Sequence, residues 1–456
     1  EVMNIVRPGA DSRDILAMAS SRFYGLDLDQ SQTVLPQPTS LVGAGAGSVF
    51  KIFTAATALE QGYGLNTMLD TPVRSVVYGM GDGGAENCPP DAYCVENAGV
   101  YAPRMTLQDA LAQSPNTTFI ELIQKTGVAP VVDTAVRLGL RSYTDENSFG
   151  DGRSIAQAAK EENMGAFTLG PLAVNALELS NVGATLASGG RWCEPNPIKE
   201  VLDEHGKQVF INRPACEQAI SPEVAGALSQ GMSKDVTEGT AAASARNNGW
   251  SALTAAKTGT TESHQSTAFL GFTRGMAAAP YIYNDGTQST PLCTAPVRQC
   301  PYGTLFGGNE AADTWFQAAA GVPGAATGGL PPTNAVYERG TMRTALDAVV
   351  GQYSSAAKSQ LESQGYTVVV NTVYGSGSPA GTVVSAIQDG PGNTVTLNIS
   401  DGNGTPPSAN TATPPAAPSP PAAPPSPSPA APLDFGGIEQ SLTDARDAIA
   451  DVFSNP

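Results

Sequence analysis

The chain has 456 residues, 41% of them hydrophobic, with 36 Pro, 49 Gly and a formal net charge of -18. That length suits one large domain with smaller ones beside it, and the Pro and Gly content implies sequence outside any core. The acidic balance argues against nucleic acid and against an anionic membrane surface as partners, and no apolar run is long enough for a transmembrane helix.

The chain starts at Glu1-Val2-Met3 without a charged stretch followed by an apolar core, so any targeting or anchoring element is expected upstream. Residues 14–21 read as a buried strand, and the polar stretch to Gly45 as loop. Val49, Ile52, Phe53, Ala56 and Leu59 recur at helical spacing, so a helix is expected to open at Ser48 and to end at Gly62. Lys51 then lies almost one turn after Ser48, on the same side, at the positive end of a helix dipole. Residues 70–103 are rich in Gly and Pro and read as loop; their acidic run at 81–87 lacks the regular ligand spacing of a calcium site.

Thr106-Leu107-Gln108-Asp109 is a helix-capping pattern, and Ser114-Pro115-Asn116 stops that helix. Further helices are expected over 117–127, 131–138 and 172–186. Residues 253–260 read as a strand, followed by a polar turn and a second strand at 267–272. Helices before and between strands that pair as hairpins give an α+β fold, with helices packed on a largely antiparallel sheet. After Pro331-Pro332 the pattern changes to one helix (356–364) and three strands (366–373, 382–387 and 394–399). Residues 404–432 are a Pro/Ala/Ser linker with no core to bury. The acidic tail 433–456 carries Ile438, Leu442, Ala445, Ile449 and Val452 at helical spacing, which suits an exposed helix or a partner-binding one.

Six cysteines fall as near neighbours: Cys88 with Cys94, Cys193 with Cys216, and Cys293 with Cys300. Fifteen pairings are open. The three sequential ones are expected, because each brackets a polar or Pro-containing stretch that a bridge can staple; reduced core cysteines are the alternative. Disulfides imply an extracytoplasmic protein. With no Cys-x-x-Cys motif and only His205 and His264, neither a metal nor another cofactor is expected.

Three short patterns follow in chain order: Ser48-x-x-Lys51, Ser114-x-Asn116 and Lys257-Thr258-Gly259-Thr260. The first two are common alone and Lys-Thr-Gly is uncommon but not rare; the ordered set, each on the element its chemistry needs, is strong. It reads as acyl transfer. Ser48 is the nucleophile and a desolvated Lys51 its base. Ser114 can relay the proton to a leaving amine, and Asn116 can hold Lys51 and a substrate amide. Lys257 with the hydroxyls of Thr258 and Thr260 suits a terminal carboxylate, and Gly259 allows close approach. The backbone N–H groups of Ser48 and Thr260 are natural oxyanion donors. A Ser-His-Asp arrangement would need His205, in a turn-like setting, or His264, in the loop after Thr261; surface histidine is the simpler reading of both.

Residues 10–320 resemble the transpeptidase domain of class A, bifunctional penicillin-binding proteins. Gly47-Ser48-Val49-Phe50-Lys51 is similar to that family's Gly-Ser-Thr-Phe-Lys. Thr168-Leu169-Gly170, Leu177-Glu178-Leu179-Ser180-Asn181, Gly239-Thr240-Ala241 and Ala256-Lys257-Thr258-Gly259-Thr260-Thr261 resemble further family segments. Residues 345–402 look like one PASTA repeat, through Gly381-Thr382-Val383-Val384, Val395-Thr396-Leu397 and Ser400-Asp401-Gly402, although the usual leading Val-Pro is missing. The combination with a Pro-rich tail looks like actinobacterial, mycobacterial-type members. The chain departs from the pattern at Ser266-Thr267-Ala268-Phe269, where the family usually has Asp followed by Trp-Phe.

The resemblance implies a penicillin-binding protein/serine β-lactamase-like fold over 1–332, a PASTA module over 333–403, the linker over 404–432, expected to be disordered, and the tail over 433–456. It implies a D,D-transpeptidase that cross-links peptidoglycan stem peptides ending in D-Ala-D-Ala and is acylated by β-lactams, outside the plasma membrane. Its membrane contact would run only through an upstream segment, and cell-wall or divisome proteins are the implied partners. Two other readings stand beside it. One is a water-accepting hydrolase, a β-lactamase or D,D-carboxypeptidase, for which Glu161 and Glu162 lie in roughly the right part of the chain but outside a Glu-x-x-Leu-Asn pattern. The other is a β-lactam or muropeptide sensor whose acyl-enzyme does not turn over.

Overall fold

The computed structural model describes residues 1–403, apart from 31, 285–289, 295–299, 301–304, 341–345, 364–365 and 389–393. The linker 404–432 and the tail 433–456 lie outside the described residues. By contacts the chain divides at Thr405, and all described residues lie in the unit that ends there.

The main sheet is built from β1 (Val2–Arg7), β2 (Asp14–Ser20), β3 (Ala255–Thr260), β4 (Ser266–Phe272), β5 (Ala277–Ala278) and β6 (Tyr281–Tyr283). Its spatial order is β3-β4-β5-β1-β6, with β2 paired to β1 and β6 also paired to β4. These pairings are antiparallel. Successive side chains alternate between two cores, as strand geometry requires. Val2, Val6, Ala255, Leu270 and Phe272 enter one core. Met3, Ile5, Ala256 and Phe269 enter the other, with Trp315 and Phe316.

The first core holds the helices α1 (Lys51–Glu60), α2 (Leu107–Gln113), α3 (Asn116–Thr126), α4 (Ala176–Ala187) and α5 (Pro222–Thr237). The second is closed by α6 (Glu310–Gly321). In α1 every residue from Lys51 to Leu59 is buried, so this helix is held by packing on all sides rather than by an amphipathic stripe. Phe50, just before it, meets Phe53 and Phe167 edge-on at 5.2 and 5.3 Å. Burial of one such ring contributes about 2 kcal/mol or more.

Several expectations need correction. β1, which lies between β2 and β5 in the sheet, is not among the expected strands, because Asn4 interrupts its short apolar run. β2 forms where a strand is expected but is half-exposed, with Met18 43% exposed; within the sheet it pairs with β1 alone. The expected loop 70–103 contains strands Arg74–Tyr78, Gly83–Gly84 and Ala92–Glu96 in one small sheet. Glycine-rich punctuation hides the alternating burial of Ser75, Val77, Ala92 and Cys94.

Disulfides join Cys88 to Cys94, Cys193 to Cys216, and Cys293 to Cys300. Past Pro332 the chain still packs on the main body. Leu65 N–H donates to Tyr337 O at 2.9 Å and Asn66 N–H to Glu338 O at 2.8 Å. The later residues form a smaller unit of one helix (Ser354–Ser363) and three strands. Thr394–Ser400 is central, parallel to Thr367–Val373 and antiparallel to Val383–Gln388. Its inward residues Val395, Leu397 and Ile399 meet Ala357 and Leu361 in a core of their own.

Candidate active site

Ser48 does not open an α-helix. It lies in a 3-10 turn, Gly47–Phe50, and the α-helix begins at Lys51. The reason is the backbone of β3. Gly47 sits at φ +57°, and a Cβ there would stand 2.5 Å from the carbonyl of Thr260. A Cβ on Gly259 would collide with Ala46 O. The strand edge thus presses directly on the turn, and only glycine on both sides permits it. In a 3-10 turn residues three apart eclipse, so Ser48 and Lys51 share one edge.

Lys51 is fully buried. Its Nζ donates to Ser114 O at 2.6 Å, Asn116 Oδ1 at 2.8 Å and Ser114 Oγ at 3.2 Å, and lies 5.4 Å from the Phe119 ring centre. Burial, and secondly the Lys257 charge, hold its pKa well below the usual lysine value. The half-buried Ser48 hydroxyl makes no hydrogen bond among the described residues, to Lys51 or otherwise.

Ser114 is brought to Lys51 by a helix ending. Thr106 caps α2 by accepting from Asp109 N–H at 3.1 Å. Ser114 ends it in the left-handed region, at φ +64°, with its N–H on Ala110 O. Pro115 prevents continuation, and α3 restarts at Asn116. The N-terminus of α3 is satisfied from a distance: Asn97 Oδ1 accepts from Asn116 N–H at 2.7 Å and Thr117 N–H at 3.0 Å. Nothing local in the sequence pairs Asn97 with α3, and sequence reasoning missed it.

Lys257, Thr258, Gly259 and Thr260 all lie on β3, whose partner on its paired side is β4. Lys257 is fully buried, its Nζ 3.2 Å from Thr258 O. Burial pushes its pKa down to about 8, opposed by Asp235. Thr260 Oγ1 accepts from Gly307 N–H at 3.1 Å, leaving its own proton free. Ser266, where the resemblance expects an acid, donates to Gly45 O at 2.5 Å and closes the loop before the Ser48 turn. Asp235 was also missed in the sequence, although it contacts this strand.

The alternative candidates lie elsewhere. Glu161 and Glu162 pair with Arg153 at 3.3 and 2.6 Å, at about half exposure. His205 is exposed beside Glu204. His264 packs edge-on against Phe306 at 4.9 Å. Among the described residues no cluster of His, Cys, Asp and Glu could hold a metal ion, and no helix is long and apolar enough to cross a membrane.

The arrangement is a half-buried hydroxyl one 3-10 turn before a buried amine of depressed pKa, with β3 pressed against that turn. Its chemical competence is acyl transfer through serine. The family model described as penicillin binding protein transpeptidase domain matches residues 9–273. Penicillin-binding protein 1A of Aquifex aeolicus is 30% identical over 179 residues, which are 39% of this chain and 21% of that protein. Penicillin-binding protein 1A of Mycobacterium tuberculosis is 25% identical over 288 residues, 60% of this chain and 31% of that one. The chain thus spans less than a third of the length of these curated relatives. Among solved structures, penicillin-binding protein PonA1 of Mycobacterium tuberculosis is similar in fold, with TM-score 0.56 and 20% identity over 75% of this chain and 83% of that one.

Proposed function

The chain belongs to the penicillin-binding protein transpeptidase family, and from that premise we propose that it is a D,D-transpeptidase that cross-links peptidoglycan stem peptides through an acyl-Ser48 intermediate. Ser48 Oγ attacks the carbonyl of the penultimate D-Ala, forming the C–O bond while its proton passes to neutral Lys51 Nζ. The C–N bond then breaks, and the proton reaches the departing D-Ala amine by way of Ser114 Oγ. An amine of a neighbouring stem attacks the ester, returns a proton by the same route and releases Ser48. Backbone N–H groups of Ser48 and Thr260 receive the oxyanion. Asn116 holds Lys51 and the substrate amide, and the strand of Lys257, Thr258, Gly259 and Thr260 presents Lys257 and the Thr260 hydroxyl to the terminal carboxylate. In a β-lactam the same C–N bond breaks, but the amine stays tethered and the adduct persists.

The observation that carries this reading is the buried Lys51 amine, held by Ser114 O, Ser114 Oγ and Asn116 Oδ1. In the neutral form two N–H bonds satisfy Ser114 O and Asn116 Oδ1, and the lone pair is left for a hydroxyl proton. PonA1 has been solved in complex with penicillin V. Intact-mass spectrometry after incubation with penicillin tests the proposal: a single persistent adduct on the Ser48 peptide supports it. An adduct lost within seconds, with penicillin consumed, would make the chain a hydrolase. The half-exposed Arg153 pairs of Glu161 and Glu162 weigh against that outcome.

The PASTA reading, made over 333–403, is supported by the helix, three-stranded sheet and separate core from Leu346 to Ile399, while Tyr337 and Glu338 pack on the main body instead. An extracytoplasmic setting is supported by the three disulfides.

A further inference from the structure

Against the outer edge of β3 stands a side chain that the mechanism above leaves unused. Asp235, near the C-terminal end of α5, is fully buried. Its Oδ1 accepts from Thr240 Oγ1 at 2.7 Å and from Ala241 N–H at 3.2 Å, and its Oδ2 accepts from Thr258 N–H at 3.3 Å. Strand geometry explains why that last N–H is available. Phe269, opposite Thr258 on β4, sends its own N–H to Pro280 O at 3.0 Å. Thr258 and Phe269 are therefore a non-hydrogen-bonded pair, and Thr258 N–H points out of the sheet. Buried there without a partner it would be costly; Asp235 supplies one.

The hydroxyl protons follow. A carboxylate only accepts, so Thr240 donates its proton to Asp235. Thr240 and Thr258 hydroxyls lie 2.5 Å apart, and with Thr240 already committed, Thr258 must be the donor between them. The order is Thr258 to Thr240 to Asp235. That chain directs Thr258's one hydroxyl proton into the protein, so the expectation that it donates to a carboxylate gives way, and Lys257 and Thr260 are left to meet an incoming one.

Building on the transpeptidase reading, we propose that Asp235 is a positioning residue for carboxylate recognition: through Thr240 it fixes the Thr258 hydroxyl, and through Thr258 N–H it pins the edge of β3 beside Lys257. Its negative charge also opposes the burial that lowers the Lys257 pKa, while burial raises its own pKa against the pull of Lys257, Thr240 and Ala241. The charged group that acts on Lys257 is Asp235 from α5; Lys51 from α1, its pKa held well down by burial, is uncharged in the working state. Removing the Asp235 charge leaves burial unopposed, so Lys257 loses its proton at lower pH.

The test compares the wild-type chain with Asp235→Asn, Thr240→Val and Thr240→Ser, measuring the second-order rate of acylation by a labelled penicillin from pH 6 to pH 10. A thioester donor without a carboxylate is run in parallel. Asp235→Asn and Thr240→Val are expected to slow penicillin acylation about tenfold or more, with a smaller loss for the thioester. Thr240→Ser is expected to restore the rate, and Asp235→Asn alone to move the alkaline limb to lower pH. Folded variants that acylate within about twofold of wild type, with an unmoved limb, overturn the inference. So does an equal loss toward both donors, which marks a merely structural role. If Asp235→Asn does not fold, the Thr240→Val and Thr240→Ser pair decides alone. Absence of any Ser48 adduct in the wild type instead removes the transpeptidase reading, and this inference with it.

Discussion

Lys51 Nζ and Asn116 Oδ1 lie 2.8 Å apart although 65 positions separate them in sequence. That contact ties the start of α1 to the start of α3, and with Ser114 O it takes two of the amine's hydrogens. The protonation state of Lys51 therefore decides whether a lone pair is available for Ser48. Ser48→Ala is expected to abolish covalent penicillin labelling, and full labelling of that variant would falsify the nucleophile assignment. Lys51→Ala should slow acylation by about a thousandfold with little change in the circular dichroism spectrum.

Acylation should fall on the acid side as Lys51 takes up its proton. Because burial and Lys257 hold its pKa well below the usual lysine value, that limb is expected well below pH 10. Lys257→Ala, by removing a neighbouring positive charge, raises the Lys51 pKa and shifts the limb upward. A limb unmoved by this change, in rates against a carboxylate-free thioester, would sink the coupling.

Glu178, in the first turn of α4, accepts from Ser142 N–H at 2.8 Å and Ser142 Oγ–H at 2.7 Å. Burial still pushes it from 4.5 up to about 7. A raised carboxylate pKa contributes stability that is complete below the unfolded value and is lost as pH rises through the folded one. Glu178→Gln should therefore gain on wild type between pH 5 and pH 8, by about 2 kcal/mol, readable as a few degrees in Tm. An equal Tm difference at both pH values would refute it.

The Cys193–Cys216 bridge closes a sequence separation of 23, against 6 for Cys88–Cys94. By loop-closure entropy its loss costs about 3 kcal/mol, and that of the shorter bridge about 2. Paired Cys→Ser variants should thus melt in that order in thermal denaturation without reductant. The reverse order would show that native contacts, not loop length, dominate.

What was legible in the sequence was contiguous. Ser48 and Lys51, Ser114 and Asn116, and Lys257 to Thr260 each lie within four consecutive positions, and the capping pattern at Thr106 located α2. What was not legible depends on the chain folding back. Asn97 reaches α3 from 19 residues away, and Asp235 reaches Thr258 from 23; neither distance leaves a periodic trace. The strands within 70–103 were hidden because each is short and set among glycines, prolines and other turn-forming residues. The 3-10 turn at Ser48 was hidden because its cause, the backbone of Thr260, lies on another element.

The glycines around Ser48 bear on how such a site changes under selection. Gly45 and Gly170, Gly170 and Gly47, and Gly259 and Ala46 meet backbone to backbone. A floor made this way offers no side chain to exchange, and any Cβ added to it displaces main chain rather than a rotamer. Gly259→Ala should abolish acylation outright. Adaptive variants that lower affinity for an inhibitor while keeping the natural substrate are confined to the walls and rim, where side chains rather than main chain face the ligand.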